Sequence, residues 1–323
     1  MIRTGKYEAA GFGSLLIAGS LVSVHALFPV FSATISAKLT ALNLAGAHAA
    51  VTETLPTKTP FQVPFALEAS AAYVIDTVTG EVLFSRNGTT SLPLASVTKL
   101  MTALTAYEQL PPSTVAVIRS SDIVQEGDSG LLANEHWRLK DLLDFTLLVS
   151  SNDGASALAS ASMAFSTSSQ DADIQKREFV TLMNQKAQKL GLTSTYFSNE
   201  SGLDISSTTA GAYGSAKDMT TLFSYILDNH PEMIEATRYE KVSFTSIDDF
   251  RHPAKNTNEA VNAIPGLIGS KTGLTDLAGG NLVVAMDIGF QHPVIIAVLG
   301  SSEEGRFSDT EALASSTLAY FRQ

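Results

Sequence analysis

Two periods of apolar residues alternate in blocks along this chain, and the order of the blocks predicts an architecture. Ala71 to Ile75 and Glu81 to Phe84 read as strands joined through Asp76-Thr77-Val78-Thr79-Gly80, a hairpin. A helical period follows near 95 to 109, where Val97, Leu100, Met101 and Leu104 form one stripe after Pro93. It returns near 139 to 149 (Leu139, Leu142, Leu143, Leu147), 153 to 164, 175 to 190 before Gly191, and 216 to 228 (Met219, Leu222, Phe223, Ile226, Leu227). Strands resume near 267 to 273, 281 to 288 and 293 to 300, the last two around a turn near Gly289, and one helix closes the chain around Phe307 to Phe321. Strands at both ends of a helical middle predict an α+β fold. It would be an antiparallel sheet flanked by terminal helices, with an all-helical subdomain inserted and the site in the cleft between them.

The N-terminus has a different pattern. Arg3 and Lys6 precede residues 9 to 37, a stretch without Asp, Glu, Lys or Arg that contains Leu15, Leu16, Ile17, Leu21, Val22, Leu27 and Phe28. About 20 apolar residues span a bilayer, and flanking positive charge stays on the cytoplasmic side. The expectation is one N-terminal transmembrane helix near residues 10 to 34, within an anchor segment 1 to 35, that holds the rest outside the cytoplasm. A cleaved signal peptide is the alternative, with Ala45-Gly46-Ala47 or Ala47-His48-Ala49 as small-residue sites, and it implies secretion. Residues 36 to 65, rich in Ala and Thr with Pro56, Pro60 and Pro64, read as a linker, and 66 to 323 as the catalytic domain.

Composition narrows the chemistry. The chain has no cysteine, which excludes thiol catalysis and leaves an exported domain to rely on its core. Its formal charge is −11; residues 1 to 65 carry four basic and two acidic side chains, so the remainder carries −13, which argues against a nucleic-acid partner. The six histidines are scattered, with no H-E-x-x-H or Cys/His spacing, so no metal and no other cofactor is expected. No G-x-S-x-G elbow points to a Ser-His-Asp hydrolase.

Candidate chemistry lies in three strings in fixed order: Ser96-Val97-Thr98-Lys99, Ser150-Ser151-Asn152 and Lys271-Thr272-Gly273. Ser96 and Lys99, three apart on one helical face, pair a hydroxyl nucleophile with an amine, which acts as a base only if burial or a neighbouring charge keeps it neutral. Lys271 is the candidate neighbour. Ser150 continues the Leu139 to Leu147 stripe and points inward from a helix end, where it can relay a proton; Asn152 can orient Lys99 or bond a substrate amide. Helix capping by Ser96, and a helix-stop cluster at Ser150 to Asp153, are the structural alternatives. A second S-x-N string, Ser85-Arg86-Asn87, falls at the end of the hairpin and reads as turn chemistry. Lys271 to Gly273 falls on or beside a strand edge, where a substrate backbone can add as a strand, Gly273 admits close approach, and Lys271 with Thr272 can hold a carboxylate. A phosphate loop is excluded because Ser270 precedes Lys271 and a strand follows.

The three strings, together with Leu92 to Ala103, Phe179 to Asn184, Gly191 to Phe197 and Gly269 to Gly280, resemble the serine-type D-Ala-D-Ala carboxypeptidases. These are low-molecular-weight penicillin-binding proteins of peptidase family S11, in the S-x-x-K transpeptidase and β-lactamase superfamily. The resemblance covers roughly residues 66 to 323 and implies a β-lactamase/transpeptidase-like fold. It implies that Ser96 attacks the peptide bond between two D-alanines of a peptidoglycan stem peptide, with Lys99 as base and Ser150 and Asn152 completing the relay. Lys271 and Thr272 would bind the terminal carboxylate, beside Gly273, and the amides of Ser96 and Leu274 would form the oxyanion hole. Water would then release the shortened peptide, and penicillins would acylate Ser96. Ser151 departs from the family's usual glycine, and the β-rich C-terminal domain of many relatives is not expected after the Phe307 to Phe321 helix. A class A β-lactamase shares the strings but needs an E-x-x-L-N glutamate, which does not follow Asn152. A D,D-endopeptidase acting on crosslinks stays open, as does a peptidoglycan-binding or sensor domain, though a pure binder needs no nucleophile.

Overall fold

The computed structural model describes residues 59–123, 126–127, 129–164 and 171–323. The anchor or signal segment and most of the linker read from the sequence lie outside these residues, and among the described residues no helix is long and apolar enough to cross a membrane. In chain order the elements begin with β1 (Ala71–Asp76), β2 (Val82–Arg86) and β3 (Leu92–Pro93). A 3-10 turn, Ala95–Thr98, then leads into α1 (Lys99–Gln109), β4 (Val115–Val117), β5 (His136–Arg138), α2 (Leu139–Val149), α3 (Asn152–Met163) and α4 (Ala172–Lys189). After β6 (Tyr196–Phe197), β7 (Ala212–Gly214) and α5 (Ala216–Asn229) come the hairpin β8 (Lys241–Thr245) and β9 (Arg251–Lys255). β10 (Leu267–Thr275), β11 (Gly279–Asp287), β12 (Pro293–Ser301) and α6 (Gly305–Phe321) complete the chain.

The main sheet runs β10-β11-β12-β1-β2, so the N-terminal hairpin joins the C-terminal strands through antiparallel pairing of β1 with β12. Its strands read as near-continuous apolar runs because both faces are buried. The strand period sorts the side chains. Tyr73, Val283, Ala285, Ile295 and Ala297 face α5 and the helical subdomain, whereas Val74, Leu282, Val284, Ile296 and Val298 face α6. Only one of the two expected terminal helices is found among the described residues, and α5 from the middle of the chain takes the other face. Residues within the stretch read as linker also belong to this layer: Phe61 packs against Phe84 and Tyr320, and the Thr59 amide donates to Gln323 Oε1.

At the centre of the helical part, α3 is buried from Asp153 to Met163 because its side chains are small, and Ser156 and Ser160 both donate to the buried Asp122. The sequence pattern missed the β8–β9 hairpin. Pro253 in β9 argues against a strand, but it lies on the exposed face, while Val242, Phe244, His252 and Ala254 turn inward. Phe244 and His252 pack with Trp137 and Phe145, and the buried Glu135 pairs with His252 at 2.6 Å. Asp309 on α6 accepts from the amides of Glu68 and Ala69 and from Ser301, which ties the segment before β1 to the last helix. Asp309→Ala leaves the Ala69 amide and the Ser301 hydroxyl buried without this acceptor and should lower unfolding free energy by about 3 kcal/mol in urea denaturation.

Candidate active site

Ser96 does not begin an α-helix; it lies in the 3-10 turn Ala95–Thr98, and Lys99 is the first residue of α1. Side chains three apart eclipse in such a turn. Lys99 Nζ accordingly donates to Ser96 Oγ at 2.7 Å, and also to Asn152 Oδ1 at 2.6 Å and to the Ser201 carbonyl at 2.7 Å. The turn is held under constraint. Ala95 has φ +47°, a left-handed value unusual for alanine, and Gly202 sits against it so closely that a Cβ would fall 1.9 Å from the Ala95 carbonyl oxygen. On its other side a Cβ on Gly273 would fall 2.8 Å from the Leu94 carbonyl and 3.2 Å from the Ser96 nitrogen. Gly273 is therefore required for the turn carrying Ser96 to reach the strand, a reason different from the substrate approach expected of it.

The second string joins two helices. Ser150 ends α2 in the left-handed conformation, φ 62°, which turns its hydroxyl toward β10, where it accepts from Lys271 Nζ at 2.8 Å. Ser151, in place of the family's glycine, has an ordinary extended backbone and caps α3, with Oγ accepting from the Gly154 amide and meeting Ser129 Oγ. The departure thus supplies a cap. Asn152 is engaged at both ends of its amide, accepting from Lys99 and donating to the Glu126 carbonyl, so its geometry is that of a lysine-orienting residue more than of a substrate ligand.

Lys271 is buried on β10, the edge strand of the sheet, and donates also to the Thr272 carbonyl. Thr272 Oγ1 meets Thr257 Oγ1 at 2.5 Å, and Arg306 from α6 donates to the Gly273 carbonyl at 3.0 Å. Leu274, the next residue on the edge, is exposed. Burial pushes the Lys99 amine down to about 7, opposed by the negative charge of Glu200. Burial lowers Lys271 well below the ordinary lysine value, and the charges of Lys99 and Arg306 lower it further. Lys99 thus gains or loses its proton near neutral pH, and among the described residues no carboxylate pairs with Lys271.

The structure unites all the residues singled out in the three strings, with Ser96, Lys99 and Asn152 in one network and Ser150, Lys271 and Thr272 in the adjoining one. Sequence reading missed Thr257, Arg306, Glu200 and Ser201. The run Asn199-Glu200-Ser201-Gly202-Leu203 did carry a signal: a glycine two residues after a glutamate, in a segment with no helical or strand period. Asn199 Oδ1 accepts from the Gly202 amide, which folds this loop over Lys99.

A sequence model of the D-alanyl-D-alanine carboxypeptidase family, peptidase S11, matches residues 57–303. The chain belongs to this family. Among curated relatives of this S11 peptidase, D-alanyl-D-alanine carboxypeptidase DacB2 of Mycobacterium tuberculosis is 32% identical over 72% of this chain and 75% of its own length. A D-alanyl-D-alanine endopeptidase of Pseudomonas aeruginosa is 30% identical over 77% of each. Among solved structures, penicillin-binding protein D2 of Listeria monocytogenes in its cefotaxime-bound form aligns with a TM-score of 0.65 at 31% identity, over 79% of this chain and 99% of that one.

Three outcomes test the S11 site. Gly202→Ala should reduce acylation by a fluorescent penicillin at least tenfold, measured by stopped flow, while the folded far-UV spectrum is retained. The acylation rate should fall tenfold per pH unit below about 7 as Lys99 protonates. Because Glu200 raises the Lys99 pKa, Glu200→Gln should move that acid limb to lower pH.

Proposed function

We propose that this S11 peptidase is a serine D,D-carboxypeptidase that removes the terminal D-alanine of peptidoglycan stem peptides through a Ser96 acyl-enzyme. The observation that carries the reading is the fully buried Lys99 amine, held by a 2.7 Å hydrogen bond to Ser96 Oγ and brought by burial to a pKa of about 7. A neutral Lys99 accepts the Ser96 proton as Oγ attacks the carbonyl between the two D-alanines. The developing oxyanion lies against the amides of Ser96 and Leu274; removing one such donor costs roughly 10²- to 10³-fold in rate. Lys271 and Thr272 hold the carboxylate of the departing residue, and the proton taken up by Lys99 passes through Ser150, which is bonded to Lys271, to the departing amine, so that Lys99 is neutral again. Water then attacks the acyl-enzyme with Lys99 again as base.

Beta-lactams acylate the same serine. With no E-x-x-L-N glutamate to activate the deacylating water, the adduct turns over slowly, unlike that of a class A β-lactamase. The uncharged apolar segment at residues 9 to 37 supports attachment to the cell membrane with the catalytic domain outside the cytoplasm. Cleavage of D,D-crosslinks is the second reading, favoured by the similarity to the Pseudomonas aeruginosa endopeptidase.

Incubation with penicillin and, separately, with a pentapeptide ending in D-Ala-D-Ala tests this. A long-lived adduct on Ser96 and release of D-alanine, both abolished in Ser96→Ala, are expected by intact mass and amino-acid analysis. An adduct without D-alanine release would shift the assignment to crosslinked peptides, and peptide binding with no adduct would leave only a binding domain.

A further inference from the structure

One end of the main sheet gathers features that the acyl-transfer site does not use. The β11–β12 turn places Phe290 at its tip with 105% of its reference area exposed, and Phe290 and Gln291 both hold φ 59°. Two consecutive left-handed residues after Gly289 are a costly way to build a turn, and this one holds the phenyl ring in solvent. The β1–β2 turn lies beside it: His292 Nε2 meets Asp76 Oδ1 at 2.7 Å, and the Thr77 amide donates to the Pro293 carbonyl. That second turn exposes Val78 (62%), and Val82 follows at the start of β2 (45%). The C-terminus of α6 reaches the same place, since the Phe321 ring lies 5.2 Å from that of His292. So does the start of the described chain, because Thr59 bonds Gln323 and Phe61 packs on Tyr320.

Single exposed apolar residues are ordinary on protein surfaces. Here they share one end of the sheet with the point where the polypeptide continues toward residues 9 to 37. We infer that Phe290 and Val78 form a footing that contacts the surface of the lipid bilayer to which the N-terminal segment tethers the domain. The inference rests on the proposed anchor. An aromatic ring at a turn tip suits the boundary between headgroups and acyl chains. The footing also sets the height of the catalytic site. Gly273 pairs with Asn281, six residues along β11 from Asp287 at the turn, so strand rise alone lifts the nucleophile about 20 Å from that end. Ser96 then lies at about that height above the bilayer surface.

The full-length chain in phosphatidylcholine vesicles tests this. Its one tryptophan, Trp137, is fully buried, so an introduced indole reports its own surroundings. Phe290→Trp and Val78→Trp should shift their emission to the blue on transfer from detergent to vesicles and lose more than half of the added signal when the acyl chains are brominated. Tyr196→Trp, on the β3-β7-β6 sheet beside the nucleophile, should do neither. Penicillin labelling at the wild-type level confirms that each variant is folded. Protein that floats with the vesicles yet keeps Phe290→Trp red and unquenched overturns the footing. Protein that fails to float overturns the anchor itself. A concentration-dependent blue shift without lipid would assign the surface to a second copy of the chain and also overturn the inference.

Discussion

Two lysine amines buried in one site, with little anionic charge around them, form the constraint on which this structure turns. Neither can be withdrawn from water without lowering its pKa, and each raises the cost of charging the other. The fold holds them through short bonds to neutral oxygens: Ser96, Asn152 and the Ser201 carbonyl for one, Ser150 and the Thr272 carbonyl for the other. Glu200 is the acidic group whose charge opposes the depression of Lys99. Both amines therefore lie below the ordinary lysine value. A negative charge brought beside Lys271 favours its protonated form, in a domain whose net charge is otherwise strongly negative.

Much of the surrounding architecture keeps this arrangement rigid. The Ala95–Thr98 turn is pinned between Gly202 and Gly273, two positions where a side chain would strike the backbone of residues 94 to 96. Arg306 reaches from α6 on the far face of the sheet to the Gly273 carbonyl, and Asn281 Nδ2 donates to the Pro93 carbonyl. α2 and α3 meet at the site, so Ser150 and Asn152 belong to a helix end and a helix start instead of a free loop. Catalytic side chains carried on such elements keep their positions better than side chains on loops.

The parts of the fold legible in the sequence were those written in long periodic runs. The stripes of α1, α2 and α5 and the apolar runs of β10 to β12 have the expected boundaries within a few residues. The short strands β3 to β7 have too few residues to show a period, and β8–β9 was hidden by Pro253 and by the polar face it turns to solvent. The three strings identified the site because the residues of each meet within a helical turn or along a strand. Glu200, Thr257 and Arg306 were not visible in the same way: each is brought in from a separate element by tertiary packing, and no spacing rule links Arg306 to Gly273 thirty-three positions earlier.

The pairing of β1 with β12 has a consequence for how the molecule is made. Ser70 and Gly300 are hydrogen-bonded across 230 residues, so the central seam of the sheet cannot close until almost the whole chain is available. Such a topology has a high contact order and forms late and slowly. No disulfide can trap an early partial fold, because the chain has no cysteine. A polypeptide delivered N-terminus first therefore stays without its central sheet until its last strands arrive, and in that interval the apolar runs of β1, β11 and β12 are open to mispairing. Quality control of this protein is then a matter of timing: β12 and α6 decide whether everything made before them becomes a sheet or an aggregate.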